Sequence, residues 1–482
     1  MNQRASRLIW AGLILLCFYR LWVASRVALL PDEAYYWVWS RALAAGYFDH
    51  PPMVALWVRA GTWLVGETEL GVRLLGPISE LAGSWLLARA ARDLLPEAGE
   101  AGGLAAALLM NATLFWGVAG DVMTPDVPLL FFWVVSLWTL GRLVATGKGV
   151  WWLAVGAAVG LAMVSKYTAI LLPVGIAIWM LERGRWFWWR SVWPYLGGAL
   201  AFLLFWPVLH WNQTHDWASF VRQGGRLGVF DLSHTLRFEL ELIFGQIGIA
   251  TPVVMGLCVI GAVAAARRWR EPGPGLLAAM IWPGVALFVQ HALGDRVQGN
   301  WPAVIYPAAV IAALLAGARW RTAGTLLGLG LGVLVLAQFA LGLVRLPGNW
   351  GELLVRPGMA QQFAKSVAGA AGNEAFVASD DYGDASLLAW YLPAQTPVVA
   401  IGNRWKEFDL PSAAALLVRA PGMLVVRQRT PPDAVDPAKT LLEKVAGVRG
   451  KQAEMLYQWQ APLTGASIKA AILPHRKNFA AG

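Results

Sequence analysis

Two adjacent carboxylates, Asp32 and Glu33, stand in the stretch Pro31-Asp32-Glu33-Ala34-Tyr35-Tyr36-Trp37, directly after a long apolar run. A charge there is costly unless it faces water, meets a partner or does work. The same loop continues into Tyr47-Phe48-Asp49-His50-Pro51-Pro52, which adds a further acid, an imidazole and two rings. Asp126 lies in the turn Thr124-Pro125-Asp126-Val127-Pro128, Lys166 in the link Ser165-Lys166, Arg226 in a polar segment after His210, and Arg296 with Asn300 in another short link. A carboxylate can take the proton of an attacking hydroxyl, and a cation can hold a phosphate as charge develops on it. The combination suits transfer of a group from a phosphorylated lipid to an alcohol. Asp32, Glu33 and Asp126 are the catalytic candidates; Tyr35, Tyr36, Asp49, His50, Lys166, Arg226, Arg296 and Asn300 are the substrate-binding candidates.

Each of these residues also has a plain structural reading. Pro-Asp-Glu is an ordinary helix opening, so Asp32 can serve as a cap. Asp126 between prolines fits a turn, and Lys166 fits a solvated hairpin. Arg20 interrupts the first apolar run, where it either works or neutralises a carboxylate structurally. His50, His215 and His234 with Asp49 offer metal-ligand types, but no close spacing such as His-x-x-x-His occurs. A divalent metal ion is therefore an open question, and no other cofactor is indicated.

The positioning elements follow from composition. Of 482 residues, 57% are hydrophobic and 14% charged, against roughly a quarter charged in soluble proteins, which points to the membrane. The 28 Trp residues suit the lipid–water boundary. A net charge of +10 without a basic soluble module argues against nucleic acid as a partner. Cys17 and Cys258 both sit in apolar runs, so no disulfide framework is proposed. Met1 to Arg7 resembles a signal-peptide n-region, but the lack of a convincing cleavage site favours a retained first helix.

A bilayer needs roughly 20 apolar residues per helix, and by that measure about eleven runs qualify. They cover approximately 8–28, 69–92, 103–119, 127–145, 150–165, 167–182, 192–209, 251–266, 276–293, 301–318 and 322–344. The positive-inside rule places the Arg-rich links at the cytoplasm. The loop from Asp32, the Asp126 turn, Lys166, residues 210–250, the Arg296 link and the tail from Leu346 then fall outside. The first outer loop reads as two short interfacial helices, one from Asp32 to about Ala45 and one opening at Asp49 or His50. Segment 210–250 is too polar to span. Beyond residue 346, β-rich runs at Ala375–Ala378, Pro397–Ile401 and Met423–Val426 alternate with helix-like Ala385–Tyr391 and Ser412–Arg419. That pattern indicates a small soluble α/β domain over 346–482, after a membrane domain over 1–345. Its Asp380-Asp381-Tyr382-Gly383-Asp384 cluster offers groups for a cation or a sugar, and reads first as a strand-to-helix turn with a capping carboxylate.

Taken as a set, Pro31–Trp37, Tyr47–Met53, Thr124–Leu129, Ser165–Ala169 and Gln298-Gly299-Asn300-Trp301-Pro302-Ala303 resemble the bacterial protein-mannosyltransferase-like branch of the GT-C glycosyltransferases. That branch is similar to the transferase that adds aminoarabinose to lipid A. The resemblance covers the chain to about residue 345. It implies a polytopic helical fold, a polyprenyl-phosphate sugar donor, and a catalytic Asp in the first outer loop at Asp32. It also implies a second functional carboxylate at Asp126. Where the aminoarabinose transferases carry Glu-Lys-Pro, this chain has Asp49-His50-Pro51, which exchanges a permanent cation for an imidazole.

The expected function is inverting transfer of a sugar to a hydroxyl of an envelope glycolipid such as lipid A. The setting is the extracytoplasmic face of a bacterial inner membrane. The alternatives are transfer to protein Ser/Thr and, from another class, a lipid or sugar transporter. A transporter predicts repeated halves and broken helices meeting at the midplane, whereas the polar residues here gather in outer loops.

Overall fold

Apolar runs in a bilayer satisfy their backbone groups internally and so fold as helices. In the computed structural model, residues 3–224, 232–344, 359–413, 416, 422–427, 439–449, 452–459 and 470–476 are described. Every apolar run identified above falls on helix. Among the described residues five helices are long and apolar enough to cross a membrane: Gln3–Arg26, Asp126–Thr146, Val192–Thr214, Pro272–Ala292 and Ala318–Leu341. Two bent pairs raise that number to 7 if each is one span.

Several expected spans are shorter or broken, for local reasons. The run 103–119 bends by 70° after Asn111, where the Thr113 side chain caps a new turn by accepting from the Trp116 N–H. The run 301–315 consists of a 3₁₀ turn, a short α-helix that opens with Pro307 in its first turn, and a second 3₁₀ turn. Segment 210–250, read from sequence as a polar loop, is largely helical. Val192–Thr214 carries on into it, and Leu232–Ala250 follows the undescribed residues 225–231. His234–Ala250 and Pro252–Arg267 together pass the apolar test with a 107° bend. The polar first half of the segment had masked the apolar second half.

By contact, the chain divides into two compact units, Met1–Leu21 with Asp49–Val54 and Leu75–Val335, and Trp22–Phe48 with Ala55–Leu74 and Leu336–Gly482. In the first unit the helices Leu75–Leu94, Asp126–Thr146, Trp151–Ser165 and Val192–Thr214 pack in that order. One apolar core, including Leu137, Trp133, Leu277 and Val310, runs through them. Gly156 and Gly160 on one helix face Gly197 and Ala201 on the next; a Cβ on Gly156 would strike the Gly197 carbonyl oxygen. Such small-residue contacts let backbones approach where lipid offers no hydrophobic drive between helices. Arg20 is buried here. Its Nη1 donates to Glu80 Oε2 at 2.9 Å and Asn111 Oδ1 at 3.0 Å, so the arginine neutralises a carboxylate within the helix bundle.

The second unit joins the first loop to the C-terminal segment. Its helix Pro31–Arg41, and the helix Met53–Val65 that enters it from Ala55 on, correspond to the two short helices expected in that loop. Its sheet contains β1 (Val377–Ser379), β2 (Val398–Ile401), β3 (Gly422–Arg427), β4 (Lys439–Arg449), β5 (Gln452–Trp459) and β6 (Ala470–Ile472), in the order β4-β5-β3-β1-β2-β6. β1 pairs in parallel with β2 and β3, and the outer strands are antiparallel. The helix Tyr382–Tyr391 links β1 to β2, and both strands are mainly apolar and mainly buried, as a covered parallel strand requires. Most of the helix expected at Ser412–Arg419 lies outside the described residues.

Candidate active site

In the first unit, three candidates from distant parts of the sequence meet. Asp126 is the first residue of the Asp126–Thr146 helix, where the helix dipole favours a negative charge. Lys166 sits where the Trp151–Ser165 helix breaks, in extended backbone (φ −160°, ψ 145°), which carries its side chain off the helix face. Asn300 immediately precedes the Trp301–Ile305 turn. Lys166 Nζ lies 2.7 Å from Asp126 Oδ1, and Asn300 Nδ2 donates to Asp126 Oδ2 at 2.8 Å. Asp126 is 4% exposed and Lys166 6%, so the pair is desolvated. Each carboxylate oxygen accepts one bond, so Asp126 holds the lysine and the amide in a fixed arrangement. An ammonium has three donors, and the Asp126 bond uses one of them.

Asp49 and His50 are in the same unit. The Asp49 carbonyl accepts from Gln223 Nε2 at 2.7 Å, and its carboxylate lies 3.7 Å from Arg222 Nε. Arg296 is exposed and bonds Glu241 at 2.8 Å, a surface pair of small energetic weight. Arg226 lies outside the described residues. Among the described residues no group of three or more His, Cys, Asp or Glu could hold a metal ion.

The second unit contains the paired carboxylates and separates them. Glu33 is fully buried and ion-paired with Arg73: Arg73 Nε donates to its Oε1 at 2.6 Å, and Arg73 Nη2 bonds its Oε2. Glu33 Oε2 also accepts the Leu30 N–H at 2.9 Å, in a capping arrangement. Arg73 further donates to the carbonyls of Ala24, Val27 and Ala28, so it pins the end of the first helix. Asp32, one residue earlier, is exposed and accepts from the Tyr382 hydroxyl at 2.8 Å. Tyr35 and Tyr36 are buried among rings: Tyr35 packs on Trp39, Tyr382, Trp405 and Phe408, and Tyr36 on Trp39.

Sequence reading missed Arg73, Tyr382 and Arg404. Arg73 lies inside the run 69–92, and the rule that flagged Arg20 in its run applies to it equally. Asp381 was legible: its side chain accepts from the N–H groups of Gly383 and Asp384, as a capping carboxylate should. No local signal linked Tyr382 to Asp32, because their pairing spans 350 residues of sequence.

A helical bundle together with a small α/β sheet segment is the fold of ArnT, a glycosyltransferase whose structure has been solved. ArnT from Cupriavidus metallidurans, solved bound to undecaprenyl phosphate, superposes with a TM-score of 0.68 over 97% of this chain and 100% of that one, at 18% identity. In sequence the chain is similar to the lipid A galacturonosyltransferase RgtD of Rhizobium johnstonii. The two are 28% identical over 316 residues, 63% of this chain and 65% of that protein, so the match spans less than two thirds of the relative's length. It is also 28% identical over 226 residues to the undecaprenyl phosphate-alpha-4-amino-4-deoxy-L-arabinose arabinosyl transferase 1 of Sodalis glossinidius, covering 41% of this chain and 38% of that protein. The profile of the dolichyl-phosphate-mannose-protein mannosyltransferase family matches residues 49–211.

Proposed function

We propose that this chain is an inverting glycosyltransferase that moves a sugar from a polyprenyl-phosphate donor to a hydroxyl of an envelope glycolipid such as lipid A. The reaction takes place at the outer face of the bacterial inner membrane, with the C-terminal segment on that side. The observation that carries this reading is the buried Asp126–Lys166–Asn300 constellation, a fixed cation on a carboxylate and amide scaffold. The lipid A and polyprenyl-phosphate named for its relatives supply the substrate class.

The reaction needs a base for the acceptor and a counter-charge for the leaving group. The acceptor oxygen attacks the anomeric carbon as the carbon–oxygen bond to phosphate breaks. Asp32 takes the hydroxyl proton, and the departing polyprenyl phosphate keeps the bonding electron pair. Lys166, held by Asp126 and Asn300, balances the phosphate charge. Glu33 stays paired with Arg73 and shapes the loop.

Replacing Asp32 by Asn in the full-length protein is expected to lower transfer from undecaprenyl-phosphate galacturonate or aminoarabinose to lipid A by about 10²–10⁴-fold. Near-normal turnover in a folded Asp32→Asn variant would remove the base assignment. The matched mannosyltransferase profile supports a second acceptor class, protein Ser/Thr hydroxyls. Mass spectrometry of envelope lipids and proteins from cells with and without the chain separates the two: a modified protein with unmodified lipid favours the second.

A further inference from the structure

Two helices pack side by side in the second unit, with their first turns in contact. The first turn of Pro31–Arg41 carries Asp32, and the first turn of Tyr382–Tyr391 carries Tyr382, whose hydroxyl donates to Asp32 Oδ1 at 2.8 Å. Their approach is built in. A Cβ on Gly383 would stand 2.6 Å from Pro31 Cβ, so only glycine lets the two ends come this close. At the far end, Trp390 packs edge-on against Trp37 with centroids 5.0 Å apart, and the Tyr391 hydroxyl accepts the Leu29 N–H at 2.9 Å. The Tyr382 ring is itself held in place. The Arg404 guanidinium lies 4.1 Å from its centroid, and Tyr35 packs against it at 4.8 Å.

We propose that Tyr382 is a positioning residue for Asp32: its hydroxyl, with the ring packed against Arg404 and Tyr35, fixes the rotamer of the carboxylate for proton transfer from the acceptor. The inference rests on Asp32 being the base, as proposed above. Tyr382 keeps its own proton throughout; the acceptor proton goes to Asp32. The structure thereby assigns the C-terminal segment a part in catalysis through Tyr382.

The other charges on these elements are engaged in ways that a Tyr382→Phe change leaves intact. Glu33 is on Arg73, Asp381 caps its helix, Asp384 is buried behind it, and Arg404 stacks on rings that phenylalanine preserves.

The test compares full-length wild type, Tyr382→Phe, Gly383→Ala, their double variant and Asp32→Asn, with undecaprenyl-phosphate galacturonate or aminoarabinose as donor and lipid A as acceptor. Tyr382→Phe is expected to lower kcat about 10-fold with donor KM within about 2-fold. A hydroxyl donor favours the ionised carboxylate, so its loss should also move the acid limb of the kcat/KM profile to higher pH. Gly383→Ala should do the same by displacing the helix end, and the double variant should be no worse than Tyr382→Phe, since both act through one hydroxyl. Wild-type kcat and acid limb in Tyr382→Phe, beside an inactive Asp32→Asn, would overturn the positioning role and leave the base assignment standing. An active Asp32→Asn would overturn both. Should Tyr382→Phe fail to accumulate in membranes, an unchanged kcat and acid limb in Gly383→Ala decides against the proposal.

Discussion

Adjacent carboxylates in one sequence motif have opposite surroundings. Glu33 is sealed from water and held by Arg73, while Asp32 faces outward. Breaking a buried ion pair by removing one partner costs about 3–5 kcal/mol, because the remaining charge is left uncompensated. Arg73→Met should therefore strongly destabilise the loop, and adding Glu33→Gln should recover much of the loss, although the carbonyls of Ala24, Val27 and Ala28 remain without their donor. Hydrogen exchange over residues 22–41 measures both effects; equal protection in wild type and Arg73→Met would contradict the assigned role. The motif alone could not rank the two acids, since both fit a helix opening. It could place them in a loop, because turn residues and hydropathy are local signals.

At the scale of elements, the helix ends carry the chemistry. Asp126 opens one helix, Lys166 closes another, and Asn300 precedes a third. All three were legible as interruptions of apolar runs, and their convergence depends on how the helices pack. The contact between Trp151–Ser165 and Val192–Thr214 is part of that packing, and its close approach needs Gly156 and Gly197. Gly156→Leu should force the helices apart and lower activity at least 10-fold through the displaced Lys166, since misplacement by about 1 Å can cost 10². Gly160→Ala should be milder, because the smaller side chain asks for less movement. The measurement is turnover together with thermal unfolding in detergent; full activity in Gly156→Leu would show that the crossing does not position Lys166. What the sequence misjudged were the bends at Asn111 and at Ala250, because averaging over a window hides a break between two short helices.

At the scale of the whole molecule, each unit is assembled from separated stretches of chain. The tail from residue 346 was expected to stand as a domain of its own, yet the second unit also includes Trp22–Phe48 and Ala55–Leu74. Trp37 and Trp390 bury each other, and Trp390 Nε1 and the Tyr391 hydroxyl both donate to Glu69 at 3.3 Å. Deleting residues 346–482 should therefore uncover Trp37 and Tyr35, each burying on the order of 150–250 Å² when covered, and render the Pro31–Arg41 helix sensitive to protease. Limited proteolysis checks this: unchanged resistance in that helix would mean that the first loop is stable without the tail.

The sequence by itself determined the helices, the polar loops between them, and the types of group that do chemistry there, because hydropathy, capping and turn propensity act over a few residues. It did not determine which charges are spent on structure. Arg73 closes on Glu33 across 40 residues, Lys166 on Asp126 across 40, and Tyr382 on Asp32 across 350. Those pairings were decided only by tertiary structure, because burial and distance set whether a carboxylate is neutralised in place or left facing the solvent.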